Sequence, residues 1–321
     1  KNIKGALEMF DIVLGGEGRF SKKPFCTFGG CPIVSPLRFA KENLDVLVET
    51  SRLGLINDIA IAPQAGATAP ATLAGTLAQV TAEGLACLAI VNFINPGCPM
   101  SFALWPFISD LRTGSFSGGS GEEALMIAAA VQIGKFYDLP TTVPSCMTDS
   151  KIPDAQAGYE KGVSAILAGL AGGNRILESA GMLGSLMGCS FEALVIDNDM
   201  LGSVQRVIRG IEVTEETLSV NVIKEVALGE GHFLGHKQTL KHMQSEFLYP
   251  KLADRTAQGE WEENGSKDIL DRAHETVCKI LSSYYPNHVS SKIDNKIRDK
   301  FPILLSINSM KPSERWAKVN P

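Results

Sequence analysis

The segment of this chain best suited to chemistry is the polar loop at residues 147–161, because ionisable and amide side chains are crowded into it. Those predicted to take part in catalysis are Asp149, Lys151, Asp154 and Gln156. A short strand is predicted before the loop, at residues 139–144, and an apolar helix after it, at residues 162–171. Since α/β enzymes keep reactive groups on strand-to-helix connections, we predict that this loop belongs to an active site.

The elements that must position the loop alternate regularly. Between residues 25 and 211, short apolar runs are followed by longer helical patterns, which indicates parallel β-α units. The predicted strands cover residues 25–27, 58–62, 87–92, 100–104, 141–143 and 175–177. The predicted helices cover residues 36–53, 71–84, 122–137, 159–171 and 191–211. Six units predict an α/β fold of the (β/α)8 TIM barrel type, with two units preceding Lys1. A doubly wound open sheet is the alternative fold, and it would require a glycine-rich nucleotide-binding turn.

The pattern changes after Gly210, where Thr214 is predicted to cap a helix. Amphipathic helices are then predicted at residues 237–249 and 267–284, and they would cover the barrel. We therefore predict barrel units at residues 1–212 and a C-terminal helical segment packing on them at residues 213–321. The chain opens inside a helical pattern, so we expect it to be the C-terminal portion of a longer protein.

Composition excludes several function classes. The chain has 321 residues, a net charge of -5 and 45% hydrophobic residues, without a concentrated block of Lys and Arg. Nucleic acid and anionic membranes are therefore not the expected partners. No uninterrupted apolar run reaches about 18 residues, so neither a transmembrane helix nor a signal peptide is predicted. The seven cysteines form no CxxC pair, which fits a reducing cytoplasm.

Aromatic and acidic side chains near the predicted strand ends are candidates for ligand binding. The aromatic residues are Phe93, Phe102, Trp105, Phe107 and Phe116. Packing in the core is their ordinary role, but rings at strand ends can also surround an organic cation, at about 0.5–2 kcal/mol per contact. The acidic residues are Asp110, Asp149, Asp154 and Glu178, and a solvated carboxylate is the alternative reading of each. Glu178 directly follows the strand at residues 175–177.

Other motifs are weaker. His232, His236 and His242, with Glu246, raise the possibility of a metal site, but they lack the H-E-x-x-H spacing, and capping or interface roles are the favoured interpretation. Cys146 follows a strand, yet no histidine in the central units is available as its base. The glycine-rich segment 114–121 has no nucleotide-binding pattern and is interpreted as a structural turn.

Taken together, five separated segments resemble the trimethylamine methyltransferase (MttB) superfamily. They are residues 110–114, 147–161, 180–182, 209–213 and 231–235. The resemblance covers about residues 25–271, with the segments in order and suitably spaced. It implies a (β/α)8 barrel that moves a methyl group from a methylated amine to the Co(I) corrinoid (cobalamin) of a cognate partner protein. No permanently bound cofactor or metal is then expected.

The resemblance also limits the expected class of substrate. The founding trimethylamine enzymes of that family contain pyrrolysine, and this sequence contains none. Members without pyrrolysine demethylate quaternary amines such as glycine betaine, and the chain resembles these. Family members carry roughly a further third of chain upstream. The resemblance implies a small methylated amine and a corrinoid protein as partners, and we expect a homo-oligomer.

The chemistry of this reaction limits the roles of the side chains. A quaternary ammonium that gives a methyl group to Co(I) leaves as a neutral amine, so no general acid is required. Positive charge disappears from the nitrogen, so a carboxylate pressed against it would stabilise the ground state more than the transition state. Positioning and desolvation should therefore dominate. The predicted substrate-binding residues are Phe102, Trp105, Arg112, Phe116, Glu178 and His232. Lys151, Arg112 or helix N-terminal amides would anchor a substrate carboxylate.

Two rival functions remain open at this point. The first is a metal-dependent hydrolase or lyase on the same barrel, with His232, His236 and Glu178 as its working groups. The second is a non-catalytic module that binds a betaine or docks a corrinoid protein. Tightly bound stoichiometric metal would favour the first, and ligand binding without turnover would favour the second.

Overall fold

The structure, a computed structural model, describes residues 2–285 and 288–313. The strands are β1 (Phe28–Gly30), β2 (Ile33–Val34), β3 (Arg38–Phe39), β4 (Asn57–Ile61), β5 (Gln64–Ala65), β6 (Met100–Leu104), β7 (Phe107–Asp110), β8 (Ser115–Ser117), β9 (Thr142–Pro144), β10 (Arg175–Leu177), β11 (Met182–Leu183) and β12 (Gly188–Cys189). The helices are α1 (Asn2–Leu14), α2 (Arg19–Lys22), α3 (Lys41–Arg52), α4 (Leu73–Ile94), α5 (Gly121–Phe136), α6 (Ala155–Ala171), α7 (Phe191–Arg209), α8 (Glu215–Leu218), α9 (Val220–Leu228), α10 (Lys237–Glu246), α11 (Gln258–Glu263), α12 (Ile269–Ser283), α13 (Ser291–Lys300) and α14 (Ile307–Met310).

Five parallel strands follow one another in chain order. β1, β4 and β6 pair in that order, β9 pairs with β10, and a bridge between Phe102 and Thr141 connects the two groups. Beyond the carboxyl ends of β4 and β6, β5 and β7 continue the pairing, and β8 returns antiparallel to β7. The sheet therefore ends in a hairpin above the carboxyl ends of its strands.

The two faces of the sheet differ in polarity because side chains alternate along a strand. One face packs against α3, α4, α5 and α6, and its core includes Ile59, Phe102 and Val143. Each fully buried side chain of this size contributes about 1.5–3 kcal/mol. The other face carries Asp58, which accepts hydrogen bonds from Ser101 and from Arg175. The helices that contact these strands thus lie against one face of the sheet.

The contact between Asp58 and Arg175 requires the sheet to curve. Asp58 lies on β4 and Arg175 on β10, and β6 and β9 lie between them. In a flat sheet three strand spacings are about 14 Å, and side chains stand roughly perpendicular to the sheet. The ion pair forms because the sheet curves toward its polar face.

The predicted barrel is found only in part. The protein is mixed α/β with several parallel strands, but no closed barrel is present among residues 2–285 and 288–313. The predicted strand at residues 87–92 is wrong, because these residues are the last turns of α4. Cys87 and Val91 are one helical turn apart and are buried against the sheet. α4 is apolar on most of its surface, which removed the contrast that reveals helical periodicity.

α4 also bears on the expectation that no helix crosses a membrane. It is long and apolar enough to do so by length and composition, which is weak evidence because core helices pass the same test. One face of α4, with Val80, Cys87 and Val91, packs into the main hydrophobic core. Contacts with β4, β6, α3 and α5 make it a sheet-packing helix in this structure.

The C-terminal region is helical. From residue 213 onward, every regular element in the described part of the chain is a helix. Thr214 caps α8, as predicted, in a reciprocal capping box with Thr217. α12 packs on α7, and α13 packs on α1, where Lys300 pairs with Glu8. The exact division into two parts at residue 212 stays a prediction.

Candidate functional site

Asp149 is the centre of the polar loop. Its carboxylate accepts hydrogen bonds from Ser117 Oγ at 2.6 Å and from the backbone amides of Gly118 at 2.8 Å and Gly119 at 3.3 Å. Ser185 Oγ donates a fourth hydrogen bond. These donors come from the loop before α5 and from the β11–β12 turn. Asp149 therefore ties together three loops at the carboxyl ends of the strands.

Glu160 holds the same loop through hydrogen bonds from its position on α6. One carboxylate oxygen accepts from Thr148 Oγ1 at 2.5 Å and from the amide of Asp149 at 2.8 Å, and the other accepts from Gln156 Nε2 at 2.9 Å. Glu160 is buried on the first turns of α6. Its role was missed from the sequence, although its spacing of four from Gln156 places both on one helix face.

Gly119 is required where Asp149 and Glu160 meet. A Cβ atom added there would lie 2.2 Å from Glu160 Oε2 and 2.9 Å from the backbone nitrogen of Asp149. Real Cβ atoms do not approach so closely, so any side chain at this position must displace the loop. The glycine segment predicted as a structural turn is thus a close backbone approach to Asp149.

Asp154 and Lys151 serve the loop itself. Asp154 is the N-cap of α6, where its carboxylate accepts from the amide of Ala157 at 2.9 Å. That hydrogen bond lowers the pKa of Asp154, and one from Ser150 adds to the effect. Lys151 Nζ donates to the backbone oxygen of Asp149 at 2.7 Å and is otherwise exposed. Both side chains therefore shape the loop.

The aromatic rings of Trp105, Phe107 and Phe116 lie together at the carboxyl edge of the sheet. The ring centroids of Trp105 and Phe107 are 6.0 Å apart, and those of Phe107 and Phe116 are 4.5 Å apart. Trp105 Nε1 donates at 3.1 Å to the backbone oxygen of Thr142, the first residue of β9, which fixes the indole against that strand. Phe102 is not part of this group. It lies on the helix-facing side of β6, buried in the core, so the structure does not bring it to the predicted site.

The other predicted binding residues are more scattered. Arg112 forms a two-point pair with Asp110, at 2.6 Å and 3.0 Å, and its hydrogen bonds lower the pKa of Asp110 to about 2. Glu178 follows β10 with a φ of 59°, in the left-handed region that non-glycine residues seldom adopt. His232 is exposed between α9 and α10, away from any contact that the structure gives to the loop.

A cavity of about 640 Å³ lies beside the loop. Its walls include Ile108, Asp110, Arg112, Ser117, Asp149 and Glu160. Strand alternation places Ile108 and Ser117 on one face of the β7–β8 hairpin and Phe107 and Phe116 on the other. The hairpin therefore separates an acidic cavity from the aromatic group, and Asp149 fixes it through Ser117.

Glu123 is a buried acid that the sequence did not reveal. It lies in the first turn of α5, beside the cavity wall, and neither carboxyl oxygen meets hydrogen-bond geometry with any described residue. Burial raises the pKa of Glu123 well above its usual value; the backbone of Ile108 opposes this rise and the charge of Asp149 adds to it. The raised pKa favours the neutral carboxylic acid form of Glu123, and the nearby charge of Asp149 acts in the same direction.

The histidines predicted for the rival metal site have other roles. His236 is the N-cap of α10, and its Nδ1 accepts from the amide of Gln238 at 3.1 Å. His242 lies 3.3 Å from a carboxylate oxygen of Glu216. Within the described ranges, no group of three or more His, Cys, Asp or Glu side chains is arranged to hold a metal ion. The geometry therefore gives the metal-dependent hydrolase or lyase no support.

A curved parallel sheet defines a protein of the α/β class. The charged and aromatic side chains at the carboxyl ends of its strands are the arrangement typical of α/β enzymes. The chain belongs to the trimethylamine methyltransferase (MTTB) family, whose model matches residues 1–301. It is 35% identical to a glycine betaine methyltransferase of Desulfitobacterium hafniense (strain Y51) over 298 residues, which are 93% of this chain. It is 38% identical to a trimethylamine methyltransferase MttB of Methanosarcina thermophila over 283 residues, or 88% of this chain.

The chain spans less than two thirds of the length of these relatives. The matched parts are 62% of the glycine betaine methyltransferase and 57% of the trimethylamine methyltransferase. A second protein of Desulfitobacterium hafniense (strain DSM 10664 / DCB-2), a trimethylamine methyltransferase MttB, is 33% identical over 93% of this chain and 59% of its own length. The family predicted from the five sequence segments is confirmed.

Proposed function

We propose that this chain takes part in methyl transfer from a quaternary or tertiary methylamine, such as glycine betaine, to the Co(I) corrinoid of a separate partner protein. Membership of a methyltransferase family supports the reaction class. The names of the relatives, which include glycine betaine and trimethylamine methyltransferases, support methylated amines as the substrate class. The corrinoid is a substrate carried by the partner, and it accepts the methyl group.

The proposed scaffold is a run of consecutive units of a (β/α)8 barrel. A barrel of this type has eight parallel strands in chain order with helices on the outside. The described residues supply five strands in chain order, with the helices against one face and a polar inner face. The curvature of the sheet, which brings Asp58 and Arg175 into contact, supports the same arrangement. Such barrels bind substrates at the carboxyl ends of their strands.

The aromatic group at that edge carries the proposal. In this proposal the trimethylammonium group packs against the partly exposed rings of Trp105 and Phe116, which contact buried Phe107, and no carboxylate lies directly against its nitrogen. During transfer the C–N bond breaks, its electron pair stays on nitrogen, and the amine leaves neutral. A charge-neutral aromatic wall therefore avoids the excessive ground-state stabilisation that a contacting carboxylate would give.

Asp149 is assigned a positioning role. It holds Ser117, the neighbour of Phe116, and the adjacent glycine amides, so it fixes the aromatic hairpin without donating a proton. Its negative charge also attracts a cation toward this edge over several ångströms. The anchoring of a betaine carboxylate by Arg112 stays a prediction, because Arg112 lines the cavity that the hairpin separates from the aromatic group.

The test follows the absorption spectrum of cobalt. The protein is mixed with a Co(I) corrinoid protein and a panel of trimethylamine, glycine betaine and carnitine, and conversion to methyl-Co(III) is recorded. Conversion by at least one substrate is the expected result. If every substrate fails while tight binding of a betaine is measured by calorimetry, the chain is a binding module and the catalytic proposal is overturned.

Matched aromatic substitutions locate the substrate. Trp105→Leu and Phe116→Leu should each lower kcat/KM by about tenfold, in the range of a lost cation–π contact. Phe136→Leu is the control, because Phe136 is an exposed aromatic residue at the other end of α5. Equal activity of the control and both site variants would place the amine elsewhere.

A further inference from the structure

A buried ion pair joins α6 to α7. Lys161 Nζ donates to Asp197 Oδ2 at 2.5 Å, and the two side chains are 1% and 5% exposed. The same oxygen of Asp197 accepts from the amide of Gly181 at 2.7 Å. We propose that Lys161 and Asp197 are a positioning pair, which holds Gly181 and thereby sets where the β11–β12 hairpin lies against the loop around Asp149. The catalytic consequence of this inference rests on the proposed function.

Stability alone does not explain this pair. Taking two charges out of water can cost more than their attraction returns, and apolar side chains of similar volume often serve a fold equally well. The cost is visible in the folded protein. Burial raises the pKa of the Asp197 carboxyl group, and the hydrogen bond and charge of Lys161 oppose this rise only in part. What a buried ion pair can supply instead is a single arrangement of the elements that it joins.

The turn of the β11–β12 hairpin needs support from outside. Ser185 and Leu186 have φ angles of 54° and 73°, in the left-handed region that non-glycine residues seldom adopt. Such residues persist only where the surrounding structure over-determines them. The amides of Gly184 and Ser185 donate to backbone oxygens of the polar loop, each at 2.7 Å. The turn therefore depends on staying docked against that loop.

Asp197 supplies the fixed point at the open end of the hairpin. Gly181 directly precedes β11, and its backbone oxygen accepts at 3.0 Å from the amide of Ser190, which directly follows β12. The hydrogen bond to Asp197 therefore ties both strands to α7. Three apolar side chains also pack the hairpin against α6 and α7, namely Leu183, Ala157 and Ala193. Apolar contacts are non-directional, so the hydrogen bond from Gly181 determines the position.

A continuous path leads from the ion pair to the aromatic group. The pair fixes the open end of the hairpin, and the turn at its other end supplies Ser185 Oγ to the carboxylate of Asp149. Asp149 in turn accepts from Ser117 Oγ at 2.6 Å, and Ser117 is the neighbour of Phe116. A displaced hairpin would remove one of the four donors to Asp149. The buried pair thus acts on the proposed site through the hairpin.

Two matched double variants isolate the hydrogen bond to Gly181. The first, Lys161→Met with Asp197→Leu, removes both charges and the acceptor. The second, Lys161→Met with Asp197→Asn, removes both charges but keeps an amide oxygen for Gly181. Hydrogen exchange is measured by mass spectrometry at residue resolution, with α4 as the folding reference. The amides of Gly181 and Ser185 should exchange about tenfold faster in the first variant than in the second.

Methyl transfer to the Co(I) corrinoid protein gives the second readout. The first variant should lower kcat by at least about tenfold, because a positioning element has moved. The second variant should restore kcat to within about threefold of the unaltered protein. An ion pair that serves only stability would leave the exchange of Ser185 and the value of kcat equal in the two variants, provided that α4 is protected in both.

Three results would overturn the inference. The first is equal exchange of Ser185 in the two variants, and the second is equal kcat where exchange differs. The third needs no variant to fold: in the unaltered protein, after correction for intrinsic rates, the amides of Gly181 and Ser185 exchange as fast as that of exposed Gly235. If the unaltered chain transfers no methyl group, the proposed function fails, and the exchange comparison still decides whether the pair positions the hairpin.

Discussion

Two aspartate clusters at opposite ends of the same strands show how differently one sheet uses its two edges. At the amino end, Asp58 is almost fully buried and paired with Arg175, and it also accepts from Ser101. At the carboxyl end, the carboxylate of Asp149 accepts from two hydroxyls and two backbone amides, and the one cationic side chain described at this residue, Lys151, bonds to its backbone oxygen instead. One charge is neutralised by a cation, and the other is only solvated by dipoles.

From this difference we infer that the amino edge of the sheet serves stability and the carboxyl edge serves function. An ion pair between β4 and β10 joins strands that are not neighbours, so it stabilises the curvature of the sheet. A carboxylate held by neutral donors keeps its negative charge available to attract a cationic substrate. In (β/α)8 enzymes the amino ends of the strands serve stability and the carboxyl ends carry catalysis, and our proposal assigns the two edges of this sheet in the same way.

The strongest way to break the carboxyl-end cluster is Gly119→Ala. The new methyl group would collide with Glu160 and with the backbone of Asp149, so the loop must move. A shift of about 1 Å in a positioning element lowers activity by about 100-fold, so kcat/KM for methyl transfer to the corrinoid protein should fall by that factor. Gly121→Ala, two residues away with open space around its Cβ position, is the control. Equal kcat/KM for the two variants would contradict a precise loop geometry.

The amino-end cluster should respond in stability. Arg175→Met leaves the buried carboxylate of Asp58 without a cation, which should lower the free energy of unfolding by about 2 kcal/mol. This is less than the 3–5 kcal/mol of a fully buried pair, because the arginine side chain is 46% exposed. Urea unfolding measures the change. Arg112→Met, which breaks an exposed pair with Asp110, should alter stability by less than about 0.5 kcal/mol.

Activity separates these two substitutions again. Under folding conditions Arg175→Met should retain kcat/KM within about twofold, because it acts through stability alone. A loss of activity as large as that of Gly119→Ala, in protein shown to be folded by circular dichroism, would mean that both edges serve the reaction.

The titration of Glu123 tests the electrostatics at the carboxyl end of the strands. Because burial raises its pKa, the folded protein holds a proton that the unfolded chain releases above about pH 4.3. The unfolded state therefore binds fewer protons, and stability should fall as the pH rises above that value, by up to about 1.4 kcal/mol per pH unit. Glu123→Gln cannot ionise and should lack this loss. Urea titrations of both proteins from pH 4 to 8 measure the difference, and parallel pH curves would show that Glu123 is ionised in the folded state.

The sequence located the polar loop and most helices, because turn residues and apolar spacing are local signals. It failed at residues 87–92, where α4 is apolar around most of its surface and its period is hidden. It also failed to assign the direction of Phe102. β6 reads Met100, Ser101, Phe102, Ala103, Leu104, and only tertiary packing decides which alternate set faces the helices.

Glu123 and Glu160 were missed for a related reason. Their importance arises from burial beside residues outside their own helices, namely Ile108 for Glu123 and Thr148, 12 residues earlier in the chain, for Glu160. On a helix, a glutamate in the first turn, such as Glu123, ordinarily interacts with the helix dipole in solvent. Nothing local distinguishes such a residue from one whose carboxyl group is enclosed.

The smallest expected effect concerns Asp154 and tests whether a neighbour of Asp149 shares its role. Asparagine caps a helix about as well as aspartate, so Asp154→Asn should leave methyl transfer and the melting temperature nearly unchanged at pH 7. Asp154→Ala removes the acceptor for the Ala157 amide and should lower the melting temperature by about 2 °C. The lowered pKa of Asp154 means that the charged cap stabilises the fold above the pKa of the unfolded chain and loses this effect as the pH falls.

Asp149→Asn, in contrast, turns an amide NH2 toward donors and should impair methyl transfer by more than tenfold. If Asp154→Asn impairs transfer as much as Asp149→Asn does, Asp154 touches the reaction and the loop has two functional carboxylates.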